Sequence, residues 1–351
     1  MRTAVVGIVL SLFLVPSLPG QVPAPTGDAI VPAGAKLELL FTRSLPLKGG
    51  LTEGPAVAFD GSVYFSDIPM SEGKGVIMRF DPKTAKTTVY QKDSHKSNGL
   101  EIDAKGRLVA CEGADGGGRA VVRYDLKTGK RTVLADNYMG KRFNAPNDLV
   151  IDTKGRIYFS DPRYVGTEKR ELDYMGVYRI DPDGSVHLIT KEVETPNGMG
   201  LSPDEKTLYV VDHNPGTDNI IANKPEKKGA MKVYAFPLGA DGKVSGPRKT
   251  LWDFGSENSA DGMATDVQGN IYLAARSLKR PGVLVLNPEG KEIAFIPTGA
   301  PDQGSAKEPK GIPSNVAFGR GADASMLYIT VDVSLYRIRL KVAGYQLPMG
   351  K

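Results

Sequence analysis

Six times along the chain a small polar cluster opens a short apolar strand, the strand turns at a Gly or Asp, and an aliphatic-aromatic strand follows. The six stretches are EGPAVAFDGSVYFSD, SNGLEIDAKGRLVACE, PNDLVIDTKGRIYFSD, PNGMGLSPDEKTLYVVDH, ADGMATDVQGNIYLAA and PSNVAFGRGADASMLYITV. Their leading polar residues, Glu53, Asn98, Asn147, Asn197, Asp261 and Asn315, are 45, 49, 50, 64 and 54 positions apart. Self-similarity at such a period marks a fold built from stacked supersecondary units. A second strand pair follows within most units, as in GVIMRFD with KTTVY and GVYRID with SVHLIT. Four strands per unit, six times over, predict an all-β, six-bladed β-propeller with four antiparallel strands per blade. The sixth unit lacks a fourth strand. KLELLFTR, residues 36–43, is left to supply it, closing the ring from the N-terminus and removing two open edges.

The expected domain spans residues 35–345. Ahead of it, residues 1–20 carry one Arg and then an apolar run ending in small residues, the layout of a signal peptide. The Pro- and Ala-rich residues 21–34 read as a flexible leader. The protein is therefore expected to be exported, to the periplasm or outside the cell, with no membrane span in the mature chain and a monomer as the default. A formal net charge of +5 without basic runs gives no nucleic-acid footprint. The single cysteine, Cys111, forbids an internal disulfide and reads as a small buried apolar group.

In an antiparallel blade the first strand begins, and the second ends, at the same face of the ring. Glu53, Asn98, Asn147, Asn197 and Asp261 should then converge on the central channel, ringed by Asp67, Glu112, Asp161, His213 and Arg276 at the second-strand ends. Asn, Asp and Gly also start strands for backbone reasons alone. That account leaves Glu53 unexplained, because a buried carboxylate needs a counter-charge and no Lys or Arg holds a leading position. Two carboxylates with amide oxygens suit a hard cation. One Ca²⁺ held by Glu53, Asn147, Asn197 and Asp261 is the expectation, with Mg²⁺, Mn²⁺ or Zn²⁺ as alternatives and Asn98 near by. No Gly-x-Ser-x-Gly or His-Glu-x-x-His motif offers another scheme.

The ordered set EGP (53–55), SNGL (97–100), PND (146–148), PNG (196–198) and DGM (261–263) resembles that of the gluconolactonase and senescence-marker-protein, or regucalcin-like, family of six-bladed propellers. The resemblance covers about residues 36–340. It implies one divalent metal in the channel on Glu53, Asn197 and Asp261, with Asn147 at or beside it, and hydrolysis of a small sugar lactone. Asp261 and Asn147 are then the candidate catalytic residues, Asp261 as general base or direct nucleophile. Arg142 of RFNAPND matches the family's substrate-contacting basic residue. Two registers are open there, Asn144 of RFN or Asn147 of PND, and the repeat alignment favours Asn147. Asn98, Glu112, Arg142, Asn144, Asp161 and His213 complete the expected substrate contacts. Two other readings stand beside the lactonase: a Ca²⁺-stabilised propeller that binds a sugar or peptide, and a phosphotriesterase on the same metal.

Overall fold

The computed structural model describes residues 21–43, 50–69, 73–223 and 227–350. The expected signal peptide, residues 1–20, lies outside them. Six four-stranded antiparallel sheets stand in a ring, each blade contacting the next and the sixth contacting the first. The blades' inner strands are Leu51–Val57, Ser97–Ile102, Leu149–Ile151, Pro196–Leu201, Ala260–Thr265 and Pro313–Phe318. The sixth blade takes Glu38–Thr42 as its outer strand, with Glu38 opposite Arg337 and Thr42 opposite Ser334, so the ring closes from the N-terminus as the strand pattern predicts. One extra ribbon, Asn137–Tyr138 with Lys141–Arg142, precedes blade three. Among the described residues no helix is long and apolar enough to cross a membrane.

The alternating strands bury their apolar residues between blades, giving an apolar layer at each of the six interfaces. Cys111 is buried in the layer joining blades two and three, Met199 in that joining three and four, and Met263 in that joining four and five. In the hairpin turns joining first and second strands of blades three and five, the leading Asp accepts backbone N–H groups: Asp152 Oδ1 takes those of Lys154 (3.0 Å) and Arg156 (2.9 Å), and Asp266 Oδ1 those of Gln268 and Asn270 (both 2.9 Å).

The leader is not free of the domain. Thr26 bridges to Phe295 of blade five, Ile30 and Val31 are buried in the layer between blades five and six, and the Lys341 N–H donates to the Ile30 carbonyl. Two apolar residues at the end of the Pro- and Ala-rich stretch are enough to fasten it, and the expectation of a flexible leader over 21–34 is corrected to that extent. At the other end, Tyr345, Gln346 and Leu347 cover the far mouth of the channel, where a cavity of about 70 Å³ remains beneath them.

Candidate metal and substrate site

The inner strands lose their register at the polar motifs. Pairing with the second strand slips between Glu53 and Ala56, Ser97 and Leu100, Pro196 and Met199, Ala260 and Met263, and Pro313 and Asn315. Such bulges re-aim side chains at a strand end. Here they accompany the turn of the polar residues toward the axis. The glycine that follows has a steric cause. A Cβ on Gly198 would collide with the Asp261 carbonyl of the next blade, and one on Gly54, at φ +47°, with the Asn98 carbonyl. The backbones meet so closely at the axis that no side chain fits there.

A cavity of about 180 Å³ opens at this face, lined by Glu53, Asn98, Asn147, Asn197, Asp261 and His213. Six of the ten residues singled out from sequence thus come together, and between the two registers open at RFNAPND the cavity is lined by Asn147. Glu53 and Asp261 are 2% and 8% exposed. Burial, then the neighbouring Asp261, pushes the Glu53 carboxyl well above the usual carboxylate range. Burial also raises Asp261, opposed by Arg276, whose Nη1 lies 2.7 Å from Asp261 Oδ2. The counter-charge missing from the leading positions is therefore supplied in part from the adjoining strand end. Asn197 Nδ2 donates to the Tyr164 hydroxyl at 3.1 Å, while its Oδ1 is buried without a hydrogen-bond partner. Tyr164 in turn donates to the His213 carbonyl at 3.1 Å.

Four expected substrate contacts lie elsewhere. Glu112 is fully buried and gripped by Arg131, with Nε 2.7 Å from Oε1 and Nη2 2.6 Å from Oε2, so it neutralises a cation inside blade two. Arg142 is exposed in the extra ribbon and donates to the Gly118 carbonyl at 2.7 Å. Asn144 is buried, its Nδ2 donating to the carbonyls of Tyr174 (2.9 Å) and Asp161 (3.3 Å). Asp161 accepts the N–H groups of Asn144 and Ala145, both at 2.8 Å, and burial pushes its carboxyl up to about 7. It fastens the loop that presents Asn147. Asp212 does the same for Glu194 and Thr195, and Asp332 for Gly311 and Ile312. Asp67, also expected at the rim, is buried against Arg43. The second-strand carboxylates hold the loops behind the site.

His213 Nδ1 lies 3.0 Å from Ser259 Oγ, and burial together with Arg276 and Lys228 drives its imidazole down to about 3. It is neutral near pH 7. Lys96, Tyr164 and Arg276 also line the cavity, and Lys96 Nζ pairs with Asp115 Oδ2 at 2.5 Å. The repeat reading passed over Lys96, although it stands directly before SNGL, and gave Tyr164 no place in the site.

Two acidic side chains and two amide oxygens, one of them the buried unpartnered Asn197 Oδ1, form an oxygen-only donor set that fits a hard divalent cation. Among the described residues no three His, Cys, Asp or Glu side chains gather as a metal cluster, so amide oxygens are needed to complete a shell.

The chain is similar to several proteins of one family. Over 339 residues it is 30% identical to a gluconolactonase of Zymomonas mobilis, spanning 92% of this chain and 86% of that one. Its fold superposes on a gluconolactonase of Xanthomonas campestris with a TM-score of 0.71 at 27% identity, covering 93% and 98% of the two chains. A calcium-binding regucalcin of Agrobacterium tumefaciens shares the fold at TM-score 0.66 and 19% identity, covering 91% and 97%. Residues 51–332 match the family model described as the SMP-30/Gluconolactonase/LRE-like region, and the chain belongs to that family.

Proposed function

We propose that this protein opens a lactone ring by hydrolysis in the channel cavity, with one divalent cation, Ca²⁺ first, on Glu53, Asn147, Asn197 and Asp261. The observation that carries the reading is the pairing of two buried acids from separate blades with the orphaned Asn197 Oδ1 at one open cavity. Similarity to proteins named gluconolactonase supports the choice of lactones. When bound, the cation would polarise the lactone carbonyl. Asp261, whose Oδ2 pairs with Arg276, would take the proton from the attacking water. Tyr164 fixes the Asn197 amide with its oxygen turned away from the hydroxyl. Arg276 and the neutral His213 line the same cavity and would meet the substrate there. Phe143 is buried in the core and Tyr164 lines the cavity without filling it, which favours turnover over a plugged binding propeller.

A pH-stat assay of purified protein with aldonolactones, an unsubstituted lactone and a phosphotriester tests this. Acid release from a lactone is expected, abolished by chelation and restored by Ca²⁺. Release from the phosphotriester alone, or from neither class, overturns the proposal. Export belongs to the same proposal, and sequencing the N-terminus of the protein recovered outside the cytoplasm checks it against cleavage near residue 20.

A further inference from the structure

The cavity lining is polar around the axis, and aliphatic side chains gather on two of its sides. Leu51, Ile68 and Pro69 of blade one border one side, and Val165, Ile220 and Ile221 border the side of blades three and four. In a ring of six, blades one and four stand opposite, so these side chains form two facing apolar arcs. Ile220 and Ile221 lie in the segment that lengthens blade four, and that segment is fastened in place. The Ile220 N–H donates to the Tyr164 carbonyl at 2.9 Å, and Asn219 Nδ2 to the Gly166 carbonyl at 3.2 Å. Yet Ile220 and Ile221 remain 43% and 57% exposed. Two large apolar residues held at a cavity wall and left half in water invite a ligand that covers them.

A fully hydroxylated sugar lactone does not. Each hydroxyl laid against an aliphatic side chain gives up water without finding a partner, whereas an alkyl group gains by leaving water. The whole cavity, arcs included, is about 180 Å³, below the roughly 300–1,000 Å³ of sites for drug-sized ligands, so the ring and any substituent on it must both be small.

We infer that the preferred substrate is a lactone bearing a short alkyl substituent, its ring carbonyl at the polar axis and its chain between the two arcs. The inference rests on the proposed hydrolysis there. Water adds its oxygen to the carbonyl carbon, the bond to the ring oxygen breaks, and the ring oxygen takes a proton to become a hydroxyl. The product is a hydroxyalkanoate and one proton, which a pH-stat counts.

The test is kcat/KM for γ-butyrolactone and its alkyl-substituted homologues of increasing length, with gluconolactone as reference. An increase of about fourfold per buried methylene is expected until the chain outgrows the arcs. The double variant Ile220→Ser, Ile221→Ser should flatten that dependence, and Ile220→Val, Ile221→Val should restore it. A folding defect would lower every substrate together, so the slope against chain length is the readout. Hydrolysis of gluconolactone with no gain from alkyl chains overturns this inference and leaves the hydrolytic reading standing. A gain that the serine variant leaves untouched overturns the role of the two isoleucines. No acid from any lactone overturns both readings.

Discussion

Glu53, Asp261 and Arg276 form an acid pair with one cation between them, and the balance of charge there is incomplete. Asp261→Asn keeps an oxygen donor and removes the proton acceptor. Turnover should fall by about 10²–10⁴ while calorimetry still shows cation binding; hydrolysis at the wild-type rate would remove Asp261 from the chemistry. His213 makes a prediction about stability. Its folded value of about 3 lies below the 6.5 of a free imidazole, so between those pH values the unfolded chain binds a proton that the folded chain does not. His213 therefore contributes a stability that rises with pH across that window, and the difference between wild type and His213→Asn in urea titrations should grow with pH from about 3 to 6.5; a pH-independent difference would contradict this. The channel residues were legible because the repeats put them in register, five polar side chains at equivalent positions. Arg142 was not, because its neighbour Arg119 holds the loop instead, with Nε 2.8 Å from the Phe143 carbonyl, and the extra ribbon carries Arg142 outward. Nothing in a single sequence distinguishes the two arginines.

At the scale of the strand, Asp161 was read in the right place and for the wrong purpose, and Asp212 and Asp332, which share its role, were not read at all. Strand alternation puts Asp161, Asp212 and Asp332 at the face of the site, but each turns back to accept two N–H groups from the loop leading into its own blade. The decisive fact is where the loop's N–H groups go, and that is a tertiary matter. Asp161→Ala should leave two buried donors unpaired, at a cost of roughly 2–4 kcal/mol by chemical denaturation, and should weaken cation binding through a displaced Asn147. An effect within about 0.5 kcal/mol would contradict the role. The bulges and the axial crowding at Gly54 and Gly198 were equally hidden, since strand periodicity reports which face a residue takes and not how near the next blade stands.

Across the molecule, the ring was readable from repeat count alone, down to the missing strand of blade six. Glu38–Thr42 pairs with Ser334–Arg339, and Arg337 adds a two-pronged contact to Glu38 at 2.7 and 3.0 Å. Removing residues 21–43 should open that edge, and light scattering should report association that the full domain lacks; a stable, dispersed truncation would contradict closure as a source of stability. The fastening of Thr26–Val31 escaped the sequence reading because Pro-rich composition suggests a linker, while two buried residues decide the outcome. If a cation neutralises the axial acids, it ties four of the six blades together at their common centre. The most direct measurement is acid release from a lactone by chelated protein as Ca²⁺ is titrated back. One saturable equivalent should restore activity in the wild type and fail to do so in Asp261→Asn; activity that survives chelation, or that returns equally in both proteins, would contradict the account.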